Sequence, residues 1–489
     1  KNTALDRTFE DVQVTDGELR IDFVRRKEHP CIAGIVIEGD AYSQKVNCGG
    51  RAWNGYAADD GVTSLEPEQL RHAYEGIFTR IQRTHPLDTY WLWTPESWTW
   101  RGASDTQVET AIADLKAAAA ALRNLGSPFT LATCGWVLGP PQDRTLFDRI
   151  LPPNMPLSCI NRQVGFEPVE RGFADLDRRP GWAIPWLEDD PAMTIPQLWA
   201  GRMRRDAADA RRYGCSGLMG IHWRTRVIAP NVAALAQAAW DRDGAPPPTP
   251  DPESRDLPCS DFYRDWARNG FGPEAAEEIA ALFTELDGGG HPQGKTRQAN
   301  LPRPATWVDG PGGILPDNRP WEDVAPQYEF VDRLAALRPR VRGKGNRARF
   351  EYWLHQFRYL RAMGEHNCAW GRLEEALKTV EAAETEAERR RLARSKALPL
   401  RIRMVELLTE IHRHLFATVS TPGELGTVAN WQQHILLRTH SRRKRPLLRS
   451  CFPLRPMVKP MVKKERLYSM TRQPRFATNN LSGFLESCQ

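Results

Sequence analysis

Five short apolar runs, each turning polar at its C-terminal end, limit most tightly what this chain can fold into. They are TYWLWTPE from Thr89, FTLATCGW from Phe129, PLSCINRQ from Pro156, GWAIPWLEDD from Gly181 and SGLMGIHWRT from Ser216. Runs of this length, rich in aromatic and β-branched residues and bounded by Gly, Pro or Ser, read as buried strands. Helical patterns lie between them. Leu70, Tyr74, Ile77, Phe78 and Ile81 share one helical face. Ser104 and Gln107 form a capping box that opens a helix closed by Gly126, and Thr194 and Gln197 form a second box opening a helix that ends at Gly214. Strand-then-helix order with apolar strands predicts a parallel sheet covered by helices, and spacings of roughly 30 to 40 residues suit a (β/α)8 barrel. Five strands are countable where a closed barrel has eight. The predicted class is therefore α/β: a partial (β/α)8 (TIM) barrel over residues 61–241.

The flanks have a different character. Residues 8–38 predict three strands, TFEDVQVTD, GELRIDFVRR and PCIAGIVIEG, separated by Asp-Gly and His-Pro turns, so residues 1–50 read as a small β-sandwich remnant. Residues 242–258 form a proline-rich linker expected to join neither neighbour's core. Residues 259–436 carry helical periodicity and predict an α-helical domain. The segment 437–489 then holds 13 Lys and Arg against two glutamates, a local charge of +11 in a chain of net +6. It gains proline, loses periodicity and reads as a disordered basic tail, from a shifted frame or read-through rather than a selected nucleic-acid arm.

Chemistry in a barrel of this kind sits at the C-terminal ends of the strands. Glu96, Trp136, Asn161, Arg162, Glu188, Asp189, His222 and Arg224 all fall there. Cleaving a glycosidic bond usually takes two carboxyl groups, one to protonate the leaving oxygen and one to act as nucleophile or base. Glu96 and Glu188 are the candidate pair, with about 5 to 5.5 Å between carboxyls expected for retention and about 6.5 to 9.5 Å for inversion. Trp98, Trp100, Trp136 and Trp223 lie just past strand ends, where an indole face can stack on a pyranose ring. Trp91, Trp93, Trp182 and Trp186 alternate along strands and read at least half as core. Such walls would raise the pKa of Glu96 and make it the proton donor. Asn161, Arg162, Asp189, His222 and Arg224 complete the expected substrate-binding set. The plain alternative makes Glu188, Asp189 and Asp190 caps for a helix following Pro191.

The segments YWLWTPESWTW, CINRQVGFEP, WAIPWLEDDP and GLMGIHWRTR resemble barrel motifs of bacterial glycoside hydrolases that combine a (β/α)8 barrel, a malectin-like carbohydrate-binding domain and a helical C-terminal domain. FEDVQVTDGELRIDFV resembles the closing strands of the malectin-like domain, and DFYRDWARNGFGPEAA and TVSTPGELGTVANWQQH resemble the helical part. The resemblance implies a glycosidase truncated at its N-terminus, secreted or periplasmic, acting on an oligo- or polysaccharide. With the strand at Leu218 taken as the eighth, the arrangement also resembles the large clan of retaining barrel glycosidases, which implies retention with Glu96 ending strand four as acid/base and Glu188 ending strand seven as nucleophile. The sequence departs from that pattern at Pro95, where Asn is usual. A non-catalytic carbohydrate-binding fragment of such an enzyme is the main alternative reading.

Other classes receive little support. The longest helix candidate rich in alanine, AIADLKAAAAALRNL, is broken by Asp114, Lys116 and Arg123, so no span crosses a membrane. The nine cysteines include no C-x-x-C and no Cys/His cluster, so neither metal, cofactor nor disulfide framework is expected. Nothing in the sequence fixes the oligomeric state.

Overall fold

The structure, a computed structural model, describes residues 8–14, 19, 34–39, 42–47, 57–58, 67–177, 179–240, 254–289, 300–308 and 310–432. Near the N-terminus, β1 (Gly34–Gly39) and β2 (Tyr42–Asn47) form an antiparallel hairpin, and β3 (Ala57–Ala58) pairs parallel with β2. Of the three strands expected before Gly39, only the last is seen as one. Residues 8–14 are not in a strand, and GELRIDFVRR, apart from Leu19, lies outside the described residues.

The mixed α/β body follows the five apolar runs. Helix α1 (Pro67–Thr84) leads into β4 (Thr89–Trp93), the short α2 (Ser97–Arg101) and α3 (Asp105–Asn124). Next come β5 (Thr130–Gly135), α4 (Leu146–Ile150), β6 (Leu157–Ile160), β7 (Gly181–Ile184), α5 (Ala200–Arg212), β8 (Gly217–Leu218) and α6 (Ala229–Trp240). The five strands form one parallel sheet in sequence order, β4-β5-β6-β7-β8. Sequence neighbours are therefore spatial neighbours, and all five C-terminal ends lie on one side.

The two faces of the sheet differ. Tyr90, Leu92, Leu131, Leu157, Cys159 and Ala183 pack with Phe78, Leu115 and Leu122 from α1 and α3. On the other side Ile160, Ile184, Trp186 and Trp199 are buried, with Trp91, Trp136, Met219 and Ile221 half-buried around them.

The expected capping box of α3 forms: Gln107 N–H donates to the Ser104 hydroxyl at 3.3 Å and Ser104 N–H to Gln107 Oε1 at 2.9 Å. The second expected box does not. The Thr194 hydroxyl donates to Gly312 O at 3.0 Å, and the Gln197 amide closes a two-way bond with the Asp189 backbone at 2.6 and 3.0 Å. Helix α5 starts later, at Ala200, and its first N–H groups are taken by a residue 87 positions away: Asp287 accepts from Ala200 N at 2.7 Å and Gly201 N at 2.9 Å. A distant acid at a helix start does the work expected of a local cap, which single-sequence reasoning cannot see.

Beyond residue 253 lie α7 (Ser260–Phe271), α8 (Ala276–Leu286), the two-residue pair β9 (Ala305–Thr306) and β10 (Gly313–Ile314), α9 (Trp321–Val324), α10 (Phe330–Ala336), the 38-residue α11 (Lys344–Glu381), α12 (Glu386–Leu392), α13 (Leu398–Thr418) and α14 (Leu425–Asn430). This helical part does not stand apart from the sheet. A single core runs from Leu187, Ile195, Met203 and Ile228 to Phe283, Phe357, Leu407 and Trp431. The C-terminal end of the expected linker also departs from expectation. Leu257 is buried, and Arg255 pairs with Asp206 at 2.8 Å while donating to Gly165 O at 2.9 Å. Residues 437–489, the basic tail, lie outside the described residues.

Asp287 also accepts from the Tyr263 hydroxyl at 2.6 Å, so one buried carboxyl ties α5, α7 and the end of α8 together. Burial lifts it to about 6 against these donors. Asp287→Ala strands three donors, and urea unfolding at pH 7 should show a loss of about 1–3 kcal/mol. An unchanged midpoint would mean that α5 finds its caps elsewhere.

Candidate functional site

The end of the sheet at β7 and β8 is closed by a carboxylate. Past the strands, Trp186 and Ile221 form a parallel bridge, and Leu187 N–H donates to Ile221 O at 2.9 Å. Where the ladder runs out, the next residue takes over with its side chain. Glu188 Oε1 accepts from Trp223 N at 2.8 Å and Arg224 N at 2.7 Å, and Oε2 pairs with Arg224 Nε at 2.6 Å. Arg224 Nη2 donates onward to Ile195 O at 2.8 Å. Glu188 is 0% exposed. Its oxygens hold three donors, one of them a guanidinium, which is the condition under which a buried charge is stable.

Asp190, read from the sequence only as a helix cap, is an acid of raised pKa. It starts a single 3-10 turn, Asp190–Ala192, and Asp189 before it makes no side-chain cap. Burial, with the nearby Asp189 and Glu188 charges, pushes the Asp190 carboxyl up to about 6, against a hydrogen bond with Trp223. Asp189 is fully buried and pairs with Arg303. Thus Glu188, Asp190, Trp223 and Arg224 belong to one cluster. His222 joins through its Nδ1, 2.9 Å from Arg224 O, with its ring exposed.

The other expected site residues divide. Glu96 is exposed, at the start of α2, and makes no side-chain cap bond there. Trp98 is not a wall of a sugar site: it is 2% exposed and stacks on Phe147 at 6.3 Å within the helix-covered core. A helix starting at Ser97 turns the residue two past Glu96 inward, a direction that strand alternation does not foretell. The Trp100 side chain lies outside the described residues. Trp136 is half-buried, edge-on to Trp93 at 5.6 Å. Arg162 pairs with Glu167 at 3.0 Å near the surface. Asn161 is 1% exposed, and neither its amide oxygen nor its nitrogen has a partner among the described residues. Trp186 Nε1 is likewise buried and unpaired.

Residues read mainly as core supply much of the aromatic surface. Trp93 is 40% exposed and lies 5.2 Å from Trp91, which meets Trp182 edge-on at 5.9 Å. Trp223 is the most open indole of the site. Alternation along β4 puts Trp91 and Trp93 on one face; that Trp93 stays open to solvent there is not legible in the sequence.

Three non-glycine residues at this end have left-handed backbone: Cys134 at φ 79°, Gln163 at φ 51° and Val164 at φ 47°. For a β-branched residue such as Val164 this is a strained conformation, of a kind that clusters at functional sites. Gly165 at φ 82° follows, where a Cβ would lie 2.6 Å from the Trp186 Cβ. The loop after Asn161 is thus pressed onto Trp186.

Together these features define a mixed α/β protein with a parallel sheet whose C-terminal edge carries tryptophans, an acid of raised pKa and the unpaired amide of Asn161. No family model matches the chain, and no curated protein is significantly similar to it. Among the described residues no cluster of His, Cys, Asp and Glu is arranged to hold a metal ion, and no helix is long and apolar enough to cross a membrane.

Arg224→Ala leaves Glu188 charged and buried without its cation, and denaturant unfolding should show a loss of about 3–5 kcal/mol. Glu188→Gln with Arg224→Met should recover a large part of it, whereas equal losses in single and double variants would contradict the clamp. Asp190 has a folded pKa above its unfolded one, so it favours folding at acid pH and that contribution fades as pH rises from about 4 through about 6. Asp190→Asn should flatten stability across this window; an unaltered pH profile would place the titration elsewhere.

Proposed function

We propose that this protein is a carbohydrate-active protein of the glycoside hydrolase type, its parallel sheet the C-terminal portion of a (β/α)8 barrel that binds an oligo- or polysaccharide at the strand ends. The observations that carry this reading are the exposed Trp93, edge-on to the half-buried Trp136 at the end of β4 and β5, and the exposed Trp223 beside a carboxyl of raised pKa at the end of β8. Indole faces stack on the apolar faces of pyranose rings, and a carboxyl titrating near 6 suits proton transfer to or from a sugar oxygen. Strands in consecutive order with their C-terminal ends together agree with a barrel segment.

In this reading Glu96, open to solvent, gives the proton to the leaving oxygen. Asp190 stands as a second acid beside the indole of Trp223. The sugar is uncharged, because the nearby guanidiniums are committed: Arg162 to Glu167, Arg224 to Glu188, and Arg226 to Glu424 at 3.4 Å and to the Tyr352 ring at 3.9 Å. A uronic acid would have to displace one of these pairs.

A second reading, binding without turnover, is favoured by Glu188. A nucleophile must reach the anomeric carbon, and this carboxylate is wholly buried with both oxygens engaged. Variants separate the two. Trp93→Ala and Trp223→Ala should each weaken binding of a neutral oligosaccharide by about 3- to 10-fold. If hydrolysis occurs, Glu96→Gln should slow substrates with poor leaving groups far more than activated aryl glycosides. Binding with no turnover of either substrate class selects the second reading, and binding unaffected by both tryptophan variants removes the site itself.

A further inference from the structure

A cleft in the helical part has no role in that reading. It lies between the segment Trp321–Tyr328, α10, α11 and α13 and encloses about 470 Å³, within the range of small-molecule sites. Most of its charges are matched. Arg361 pairs with Asp332 at 2.9 Å, and Arg403 with Glu365 at 2.7 Å, Glu406 at 3.2 Å and Glu410 at 3.6 Å. Arg358, half-buried in the same wall, has no hydrogen-bond or ion-pair partner among the described residues.

Two imidazoles stand close to it. The Nδ1 atoms of His355 and His414 are 2.9 Å apart, and His414 is 6% exposed. Such a contact needs an N–H on one ring and a bare nitrogen on the other, so the pair can accept one further proton, at an Nε2, without breaking its bond. Its surroundings push both rings toward the neutral form. Burial, His355 and the guanidiniums of Arg413, Arg358 and Arg361 push His414 down to about 3. Burial, Arg358, Arg413 and Arg338 lower His355, with only Glu351 opposing them. At the two imidazoles the guanidiniums thus outweigh Glu351, while the lining acids Asp332, Glu365 and Glu410 are engaged with Arg361 and Arg403.

We propose that the cleft binds the carboxylate or phosphate group of a small ligand through Arg358 and couples that binding to uptake of a proton by the His355–His414 pair. An anion there supplies Arg358 with its missing partner and cancels the field that keeps the imidazoles neutral. The exposed Glu322 and Glu329, also in the lining, repel extended polyanions, so the remainder of the ligand is uncharged or cationic. Trp321, half-buried, gives that remainder an apolar wall.

The test titrates the full chain with acetate, inorganic phosphate and glycine, following the histidine ring resonances by NMR. Acetate binding at pH 6 is also measured calorimetrically in two buffers of different ionisation enthalpy. The expected result is saturable binding of at least one probe, shifts of the His355 and His414 signals, and net proton uptake. Arg358→Gln should weaken binding about tenfold or more, while Arg394→Gln, an exposed cation outside the lining and not among those acting on the histidines, should leave it within about twofold. Glycine bound more tightly than acetate would identify a zwitterion as the ligand class, phosphate more tightly than both a phosphate ester. No saturable binding, unmoved histidine signals, or equal losses in both arginine variants would overturn the proposal. If Arg358→Gln does not fold, the wild-type histidine shifts decide alone.

Discussion

Glu188, fully buried, meets Arg224 at 2.6 Å where β7 and β8 have exhausted their backbone hydrogen bonds. The carboxylate also orients the chain as it leaves β8: Trp223 and Arg224 both present their N–H groups to it. That arrangement holds the Trp223 indole at the open end of the sheet and brings it to Asp190. It also sends the Arg224 guanidinium to Ile195 O, anchoring the segment from which α5 starts. An ion pair so placed adds little net stability compared with well-packed apolar residues, but removal of either half is costly, so its value is geometric.

The same economy recurs where the sheet meets the helices. Arg202 is fully buried, with its guanidinium carbon 4.2 Å from the Trp199 ring centre and 4.6 Å from that of Phe166, and it donates to Gly289 O at 2.6 Å. Arg255 joins Asp206 to the carbonyls of the strained loop at Gly165 and Phe166. Arg303 meets Asp189, and Arg226 reaches Ser420 and Glu424. Charged contacts of long sequence separation therefore fasten the helical part to the end of the sheet that carries the candidate site. A helical part attached in this way adjoins that end, with Asp189 fixed between the two.

Much of the sheet was legible because its signal is local. Apolar runs bounded by Gly and Pro, with helical periodicity between them, fixed the number of strands, their order and the end that bears polar residues. The Ser104 box was legible for the same reason. What was not legible depends on contacts across the chain. Thr194 and Gln197 carry a cap signature, yet Gly312 and Asp189 compete for their side chains and Asp287 caps α5 in their place. Trp98 and Trp223 look alike in sequence, each just past a strand, but one faces a helix-covered core and the other solvent. Glu188 and Asp190 stand two residues apart, and only the partners around them make the first a clamp and the second an acid of raised pKa. The polar cleft beside Arg358 had no sequence signal, since its walls come from four separate helical segments.

In the proposed function, sugars bind at the open tryptophan end of the sheet. The most direct measurement is the response of the indole N–H resonances of the full chain to neutral oligosaccharides, with each tryptophan assigned by substitution. Binding at this end predicts shifts for Trp93, Trp136 and Trp223 and none for the buried Trp98 and Trp431. No shift with any oligosaccharide, or shifts confined to tryptophans of the helical part, would contradict it.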